Sequence, residues 1–494
     1  MAKSAFPDIV IPEGSLSDFL FSGLEEKAGV TAFIEGGGGR SITYRQLWQG
    51  AQAVAAHLTA LGLQKGERVG VLAPNGIDYI LAWQGAVLAG GVVTGINPSY
   101  TAEEIAYQVK DADVRFLFAS ESLVGNAPAV QHLISMPFEL PAAEFHPAPV
   151  EAARDLASVP FSSGTSGRPK GVMLTHRNLV AMLLQMESVL GNRPGDAVLA
   201  VLPFFHIFGM QVLMNHTIAK GLTAIIMPRF EMEKALALIQ QHKVSHFFLV
   251  PPIVVGLAKH PAVSQFDLSS LRYIMSGAAP LDAGVQAAAP ERLGVAVLQG
   301  YGMTETSLAV SVMPQGSRKP GSSGELLPGV EVRLRCPETA QMLPDHERGE
   351  IHVHGPNIMQ GYLNHPEASQ DCLQDGWLRT GDIGYFDESG HLFVVDRVKE
   401  LIKYKGFQVA PAEVEGVLLT HPSIVDCAVI GIPDLEAGEV PKAFVVSRQP
   451  VELAELQEYC RQHLCHHKQI RQLETIDAIP RSPAGKALRR LLRS

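Results

Sequence analysis

Short apolar runs alternate with helical spacing through the first 320 or so residues, and this alternation limits the fold more than any single motif. Residues 68–72 (RVGVL), 92–96 (VVTGI) and 114–119 (VRFLFA) are strand-sized, with helical patterns over 79–88 and 101–109 between them. The pattern resumes with strands over 197–202, 223–227, 246–250, 271–276 and 295–299 and helices over 209–219 and 232–240. Strands separated by helices predict a parallel sheet covered by helices. Residues 16–63 read as helix, strand pair, helix, with the glycines 36–39 as a hairpin turn. Residues 122–155, rich in Ala and Pro, read as a surface connection.

From about residue 321 the texture changes. Short segments at 330–334, 349–353 and 391–395 lie between turns, which suits a small β-barrel or sandwich over about 321–395. A charged stretch, 396–400, introduces a last unit with helices over 412–419 and 451–465 and strands over 425–430 and 442–446. The expected class is α/β. A large N-terminal domain of helix-covered sheets plus a small β-barrel, residues 1–397, precedes a smaller α+β domain, residues 398–494.

One stretch inside this frame carries chemistry. Residues 160–171 (PFSSGTSGRPKG) pack hydroxyls, glycines and one lysine between two apolar runs. Glycines let successive N–H groups turn toward one point, hydroxyls add donors, and Lys170 adds a point charge suited to phosphate. The loop is a strand–loop–strand connector, with a helix starting after His176. It is not a Walker loop, because Gly171 follows the lysine where Ser or Thr is needed. Taken alone it has a plainer, less favoured reading as a solvated Ser/Gly linker.

The formal charge of −10 argues against a nucleic-acid partner. The first 14 residues lack a basic segment followed by an apolar one, so no secretory leader is expected. The longest apolar stretch, 79–93, contains Gln84 and three glycines and is too short for a membrane span. Five scattered cysteines suit reduced thiols and a cytoplasmic home.

Two further stretches, 276–280 (SGAAP) and 299–306 (QGYGMTET), each follow a predicted strand, where ligand sites of open α/β sheets lie. Then come 379–382 (RTGD), 396–397 (DR), 403–408 (KYKGFQ) and 480–486 (PRSPAGK). In this order the motifs resemble those of the adenylate-forming superfamily of acyl-CoA synthetases, luciferases and adenylation domains. The likeness is greatest to the 4-coumarate–CoA ligase branch, through 276–281 (SGAAPL) and 396–414 (DRVKELIKYKGFQVAPAEV), and spans nearly the whole chain.

The resemblance implies ATP, Mg²⁺ and coenzyme A, a small carboxylic acid, and a mobile C-terminal domain with its hinge at Lys399. Ser162, Ser163, Gly164, Thr165, Ser166, Gly167 and Lys170 would wrap the phosphates. Tyr301 would lie beside adenine with Gly277, Ala278, Ala279, Gln299 and Gly300, and Thr304 on the α-phosphate. Asp382 would take the ribose hydroxyls, with Arg397 beside it. Thr165 and Glu305 would meet Mg²⁺. His206, Phe208, Ala278, Gly300 and Met303 would line the acyl site. Arg229, Lys405 and Gly406 would meet coenzyme A. Lys486 would serve adenylation, and Lys403 and Gln408 thioester formation.

Each residue also has a plainer reading. His206 could be a satisfied core histidine, Lys486 a tail lysine, Asp382 a turn aspartate and Tyr301 core filler. Cys460, His463, Cys465, His466 and His467 lack paired metal-ligand spacing and fall on an amphipathic helix. A carrier-protein acceptor, an oxidative luciferase-type activity and a non-catalytic nucleotide-binding module remain alternatives. Hydroxycinnamate ligases often carry Tyr where this chain has Phe208. An apolar ring or a medium-chain acid therefore fits as well as a phenol.

Overall fold

The computed structural model describes residues 1–494 except 163–167, 318, 399, 406, 435, 483–484 and 494. The alternation builds two large sheets. In the first, Val92–Ile96, Arg68–Leu72, Val114–Ser120 and His132–Met136 run parallel as neighbours. The other flank is Leu156–Ser158, Lys170–Thr175 and Gly361–Tyr362. The strand His132–Met136 falls inside the stretch read as a surface connection. It borders the sheet and is half exposed, so its apolar signal is weak.

The second sheet has a parallel middle of Ala296–Tyr301, Tyr273–Ser276, His246–Leu249, Ala197–Ala200, Thr223–Ile226 and Thr31–Glu35. Thr31–Glu35 and Ser41–Thr43 form the hairpin expected around the four glycines. Capping boxes start the helices where the chain leaves a strand. Thr43 and Gln46 close the start of Tyr44–Ala60, and Thr175 and Asn178 that of His176–Leu190.

The expected helix after His206 begins instead as a π-helix, Gly209–Asn215, and becomes α-helical only over His216–Lys220. A Cβ on Gly209 would lie 2.1 Å from the Pro203 carbonyl, so the wide turn depends on glycine here. Buried amides tie it down: Gln211 donates to the Leu179 carbonyl, Asn215 to Gln211, and Gln84 to Asn215.

The β-rich region is a seven-stranded antiparallel sheet that includes Glu331–Arg335, Gly349–His354, Trp377–Phe386 and Leu392–Arg397. Its pairings among the described residues form an open path, not the closed ring of a barrel. Ala2–Lys3 pairs with Glu331–Arg335, a contact across more than 300 residues with no local signal.

The C-terminal part has its own five-stranded sheet and its own apolar core, which includes Ile402, Val414, Leu418, Val429, Val445 and Leu456. Asp396 joins the two parts. Its oxygens accept the N–H groups of Arg397 (2.7 Å) and Ala412 (3.1 Å), the latter at the start of helix Pro411–Thr420.

Candidate active site

A cavity of about 750 Å³ opens at the carboxyl ends of the parallel strands. It collects Ser162, Lys170, His206, Phe208, Gly277, Ala278, Gly300, Tyr301, Met303, Thr304, Glu305, Arg397 and Lys486, drawn from six separate regions of sequence.

On one side Tyr301 ends its strand and donates its hydroxyl to Asp382 Oδ2 at 2.8 Å. Burial first, then the charge of Asp382, push that hydroxyl well above the usual tyrosine range, so it stays a donor. Arg397 faces Asp382 across the sheet register and places Nε 3.0 Å from Oδ1. The two carboxylate oxygens thus have separate donors, a geometry able to exchange for two hydroxyls.

The chain turns sharply after Tyr273–Ser276, and Ala278 takes φ +70°. A residue with a Cβ pays about 1 kcal/mol or more for that conformation, and here it brings backbone to the cavity wall. Gly277 beside it leaves room for the Phe208 ring, because a Cβ there would lie 2.9 Å from that ring and force it to shift.

Glu305 is buried and accepts from Ser162 Oγ at 2.7 Å and from Tyr362 hydroxyl at 2.8 Å, both on Oε1. Lys170 pairs antiparallel and in register with Ser162, so the described ends of 160–171 are strands, as the strand–loop–strand reading expects.

His206 accepts the Phe208 N–H on Nδ1 at 3.3 Å, which puts its proton on Nε2. Burial pulls its pKa down to about 4, so the ring is a neutral donor at pH 7. Apolar side chains, among them Met186, Leu190, Phe208, Val212, Phe248 and Met275, line the same cavity.

Lys486 enters from the C-terminal part. Its backbone N–H donates to Ser482 Oγ and its carbonyl accepts the Ser482 N–H, closing a tight turn. Burial first, then Arg397, lower its ammonium pKa to about 8.

Other expected residues lie elsewhere. Ala279 and Gln299 do not line the cavity. The Gln299 amide accepts the Leu281 N–H and donates to the Ser322 carbonyl, so it braces the 277–281 turn. Arg229, Lys403 and Lys405 are exposed and away from the cavity. Ser163, Gly164, Thr165, Ser166, Gly167, Lys399 and Gly406 lie outside the described residues, as does the Gln408 side chain.

Sequence reasoning missed Glu350 and Arg379. They line the cavity as a close pair, with Arg379 Nε 2.8 and 2.9 Å from the two carboxylate oxygens. A glutamate within the apolar segment 349–353 was the available signal. Tyr362 was also missed.

Sheets, cavity and small C-terminal unit together define an adenylate-forming enzyme of the acid–CoA ligase class. Residues 22–363 match the family model described as AMP-binding enzyme, and residues 413–486 match that of the AMP-binding enzyme C-terminal domain. The chain is 39% identical to a 4-coumarate–CoA ligase of Pinus taeda, over 100% of this chain and 97% of that protein. It is 38% identical to 4-coumarate–CoA ligase 1 of Petroselinum crispum, over 100% and 96%. Among solved structures it resembles ATP-bound MatB from Rhodopseudomonas palustris, with TM-score 0.90, 31% identity, and 97% and 98% of the two chains covered. It also resembles the o-succinylbenzoate CoA synthetase MenE of Bacillus subtilis with its acyl-adenylate intermediate, with TM-score 0.86, 30% identity, and 97% and 98% covered. The chain belongs to the AMP-binding enzyme family and is an AMP-forming acid–CoA ligase.

Proposed function

We propose that this ligase activates an uncharged, mainly apolar carboxylic acid, aryl or cinnamate-like or of medium chain length, and transfers the acyl group to coenzyme A. The observation that carries this is the single cavity shared by Tyr301 and Arg397, Lys170, Lys486, and the apolar wall around His206 and Phe208. None of the six apolar wall residues named above carries a charge that would favour a second carboxylate or an amine on the acid.

The substrate carboxylate attacks the α-phosphate of ATP, forming acyl-AMP and releasing pyrophosphate. Two anions must meet, so catalysis rests on positioning and on charge. Asp382, Tyr301 and Arg397 hold the nucleoside. Lys170 and the loop hold the outer phosphates, Thr304 meets the α-phosphate, and His206 Nε2–H steadies the acid's carboxylate. Lys486 supplies positive charge where the anions meet. A buried carboxylate ringed by hydroxyl donors is the hard-oxygen set Mg²⁺ favours. Glu305, with Thr165, would hold it. When bound, Mg²⁺ neutralises polyphosphate charge.

In the second half-reaction the CoA thiol attacks the acyl carbon and AMP leaves. We assign this step to Lys403, Lys405 and Gln408, with Arg229 toward the CoA nucleotide, after rotation of a C-terminal domain beginning near residue 398. No described helix is long and apolar enough to cross a membrane, and the five unpaired cysteines fit a cytoplasmic enzyme.

A panel of acids scored by CoA-thioester formation tests the reading. Cinnamate or a medium-chain acid is expected to outrun 4-coumarate. A dicarboxylate or an amino acid as best substrate would overturn it.

A further inference from the structure

Tyr362 stands at the junction of three groups assigned to ATP. Its strand, Gly361–Tyr362, pairs antiparallel with Lys170–Thr175, and Tyr362 lies opposite Val172. Lys170 is two residues from Val172 and so shares that face of the strand, diagonal to Tyr362. The Lys170 ammonium lies 5.6 Å from the centre of the Tyr362 ring, within cation–π range. The Tyr362 hydroxyl donates to Glu305 Oε1 at 2.8 Å, the oxygen that also accepts from Ser162 at 2.7 Å.

The backbone holds the ring firmly in this place. Tyr362 N–H donates to Ser369 Oγ at 2.8 Å, and its neighbours Gln360 and Leu363 donate to the Met173 and Gly171 carbonyls at 3.0 and 2.8 Å. Two hydroxyls on one carboxylate oxygen fix the rotation of the group and leave Oε2 as the oxygen to meet a cation. Among the described residues no carboxylate pairs with Lys170. An ammonium drawn onto Glu305 would cancel both charges, and the ring offers it another partner.

We propose that Tyr362 is a positioning residue for adenylation, orienting Glu305 through its hydroxyl and Lys170 through its ring. The proposal rests on the reading above in which Glu305 meets Mg²⁺ and Lys170 meets phosphate. A tyrosine that only filled space would change stability and leave the magnesium dependence of ATP binding as it was.

Calorimetric titration of ATP into the full chain, once with MgCl₂ and once with EDTA, separates the two. Tyr362→Phe keeps the ring and should cut the Mg²⁺-dependent gain in ATP affinity about tenfold, the loss of one hydrogen bond to a charged group. Its affinity for ATP in EDTA should stay within about twofold of the parent. Tyr362→Leu loses the ring as well and should also weaken binding in EDTA, by about threefold. In turnover, kcat/KM for MgATP should fall with Tyr362→Phe while KM for the acid stays put. If Tyr362→Phe keeps the full Mg²⁺ gain and Glu305→Gln loses it, the positioning role is wrong and the site reading stands. If Glu305→Gln keeps it too, the reading of Glu305 fails and this inference with it. Should Tyr362→Leu not fold, Tyr362→Phe still decides the hydroxyl's part.

Discussion

Lys486 carries the sharpest pH prediction. The turn bearing it is braced on the C-terminal sheet, where Arg481 binds Asp426 at 2.6 Å, and against the N-terminal part, where a Cβ on Gly485 would come 3.0 Å from Val250. The half-buried Lys486 side chain therefore lines the cavity. Burial, then Arg397, lower its pKa to about 8, with Glu400 and Asp382 opposing. A base with that pKa is about 90% charged at pH 7 and about 10% charged at pH 9. The charged form is the one that can stand between two anions. Hence kcat/KM for ATP in the ATP–pyrophosphate exchange reaction should fall about fifteenfold from pH 8 to pH 9.5, because that ratio reports the free enzyme. Bound polyphosphate favours the ammonium, so kcat alone should fall at higher pH. Lys486→Arg, charged throughout, should lack this limb even if slower overall, and Lys486→Ala should lose exchange. Supplied acyl-AMP with CoA should give thioester in both variants. A wild-type kcat/KM flat to pH 10, or the same limb in Lys486→Arg, would sink the assignment.

Lys170→Ala should raise KM for MgATP and leave KM for the acid nearly unchanged in steady-state assays; a change in the acid KM alone would refute the loop assignment. Gly277→Ala should displace the Phe208 ring, raising KM for the acid more than for ATP, and Met303→Ala should admit bulkier acids; an unchanged acid profile in both would refute the pocket. Stability to urea should fall as pH drops from 7 to 5. Burial holds His176 and His216 to pKa values of about 4, against 6.5 unfolded, so unfolding takes up protons below 6.5. At about 1.36 kcal/mol per pH unit each, the two cost about 4 kcal/mol by pH 5. His206 and His246 act in the same direction. Asp396, raised to about 7, binds protons in the folded state and returns about 2 kcal/mol over the same range. A midpoint that rises on acidification would reverse the sign of this account.

What the sequence made legible followed from local periodicity. Strand-sized apolar runs became the two sheets, and the strands flanking the Ser/Gly stretch set Ser162 opposite Lys170. What it hid required either long range or a single atom. Tyr301 and Asp382 meet across 81 residues, and only the order of motifs linked them. Ala2–Lys3 joins its sheet through backbone hydrogen bonds that no side chain announces. Gln299 sits inside a motif yet turns its amide away to brace a turn, a choice set by orphaned backbone groups at Leu281 and Ser322. The π-helix after Phe208 depends on Gly209 and on amide pairs from other helices, which periodicity does not register.

On the assignments proposed above, one arrangement of the C-terminal unit would not serve both half-reactions. Here Lys486 lines the cavity, whereas Lys403 and Lys405 are exposed on the hairpin formed by Ile402–Tyr404 and Phe407–Val409. That hairpin pairs with Gly438–Ser447 and shares the core of its own sheet, so it moves only with the whole unit. In its proposed adenylation role Lys486 would have no further task once pyrophosphate has left, because no second anion then approaches the acyl phosphate. The thiol step, as proposed, would use the other face. The proposed rotation about the short segment after Arg397 would exchange the two faces without disturbing either core, since the sheets on each side are separate. The Asp396 bonds to Arg397 and Ala412 span that segment. Asp396→Asn, which keeps the shape and one acceptor, should therefore alter the balance between exchange and thioester formation more than either chemistry alone. Equal loss of both half-reactions in Lys486→Ala, Lys405→Ala and Asp396→Asn would mean one fixed site, and rotation would be dropped.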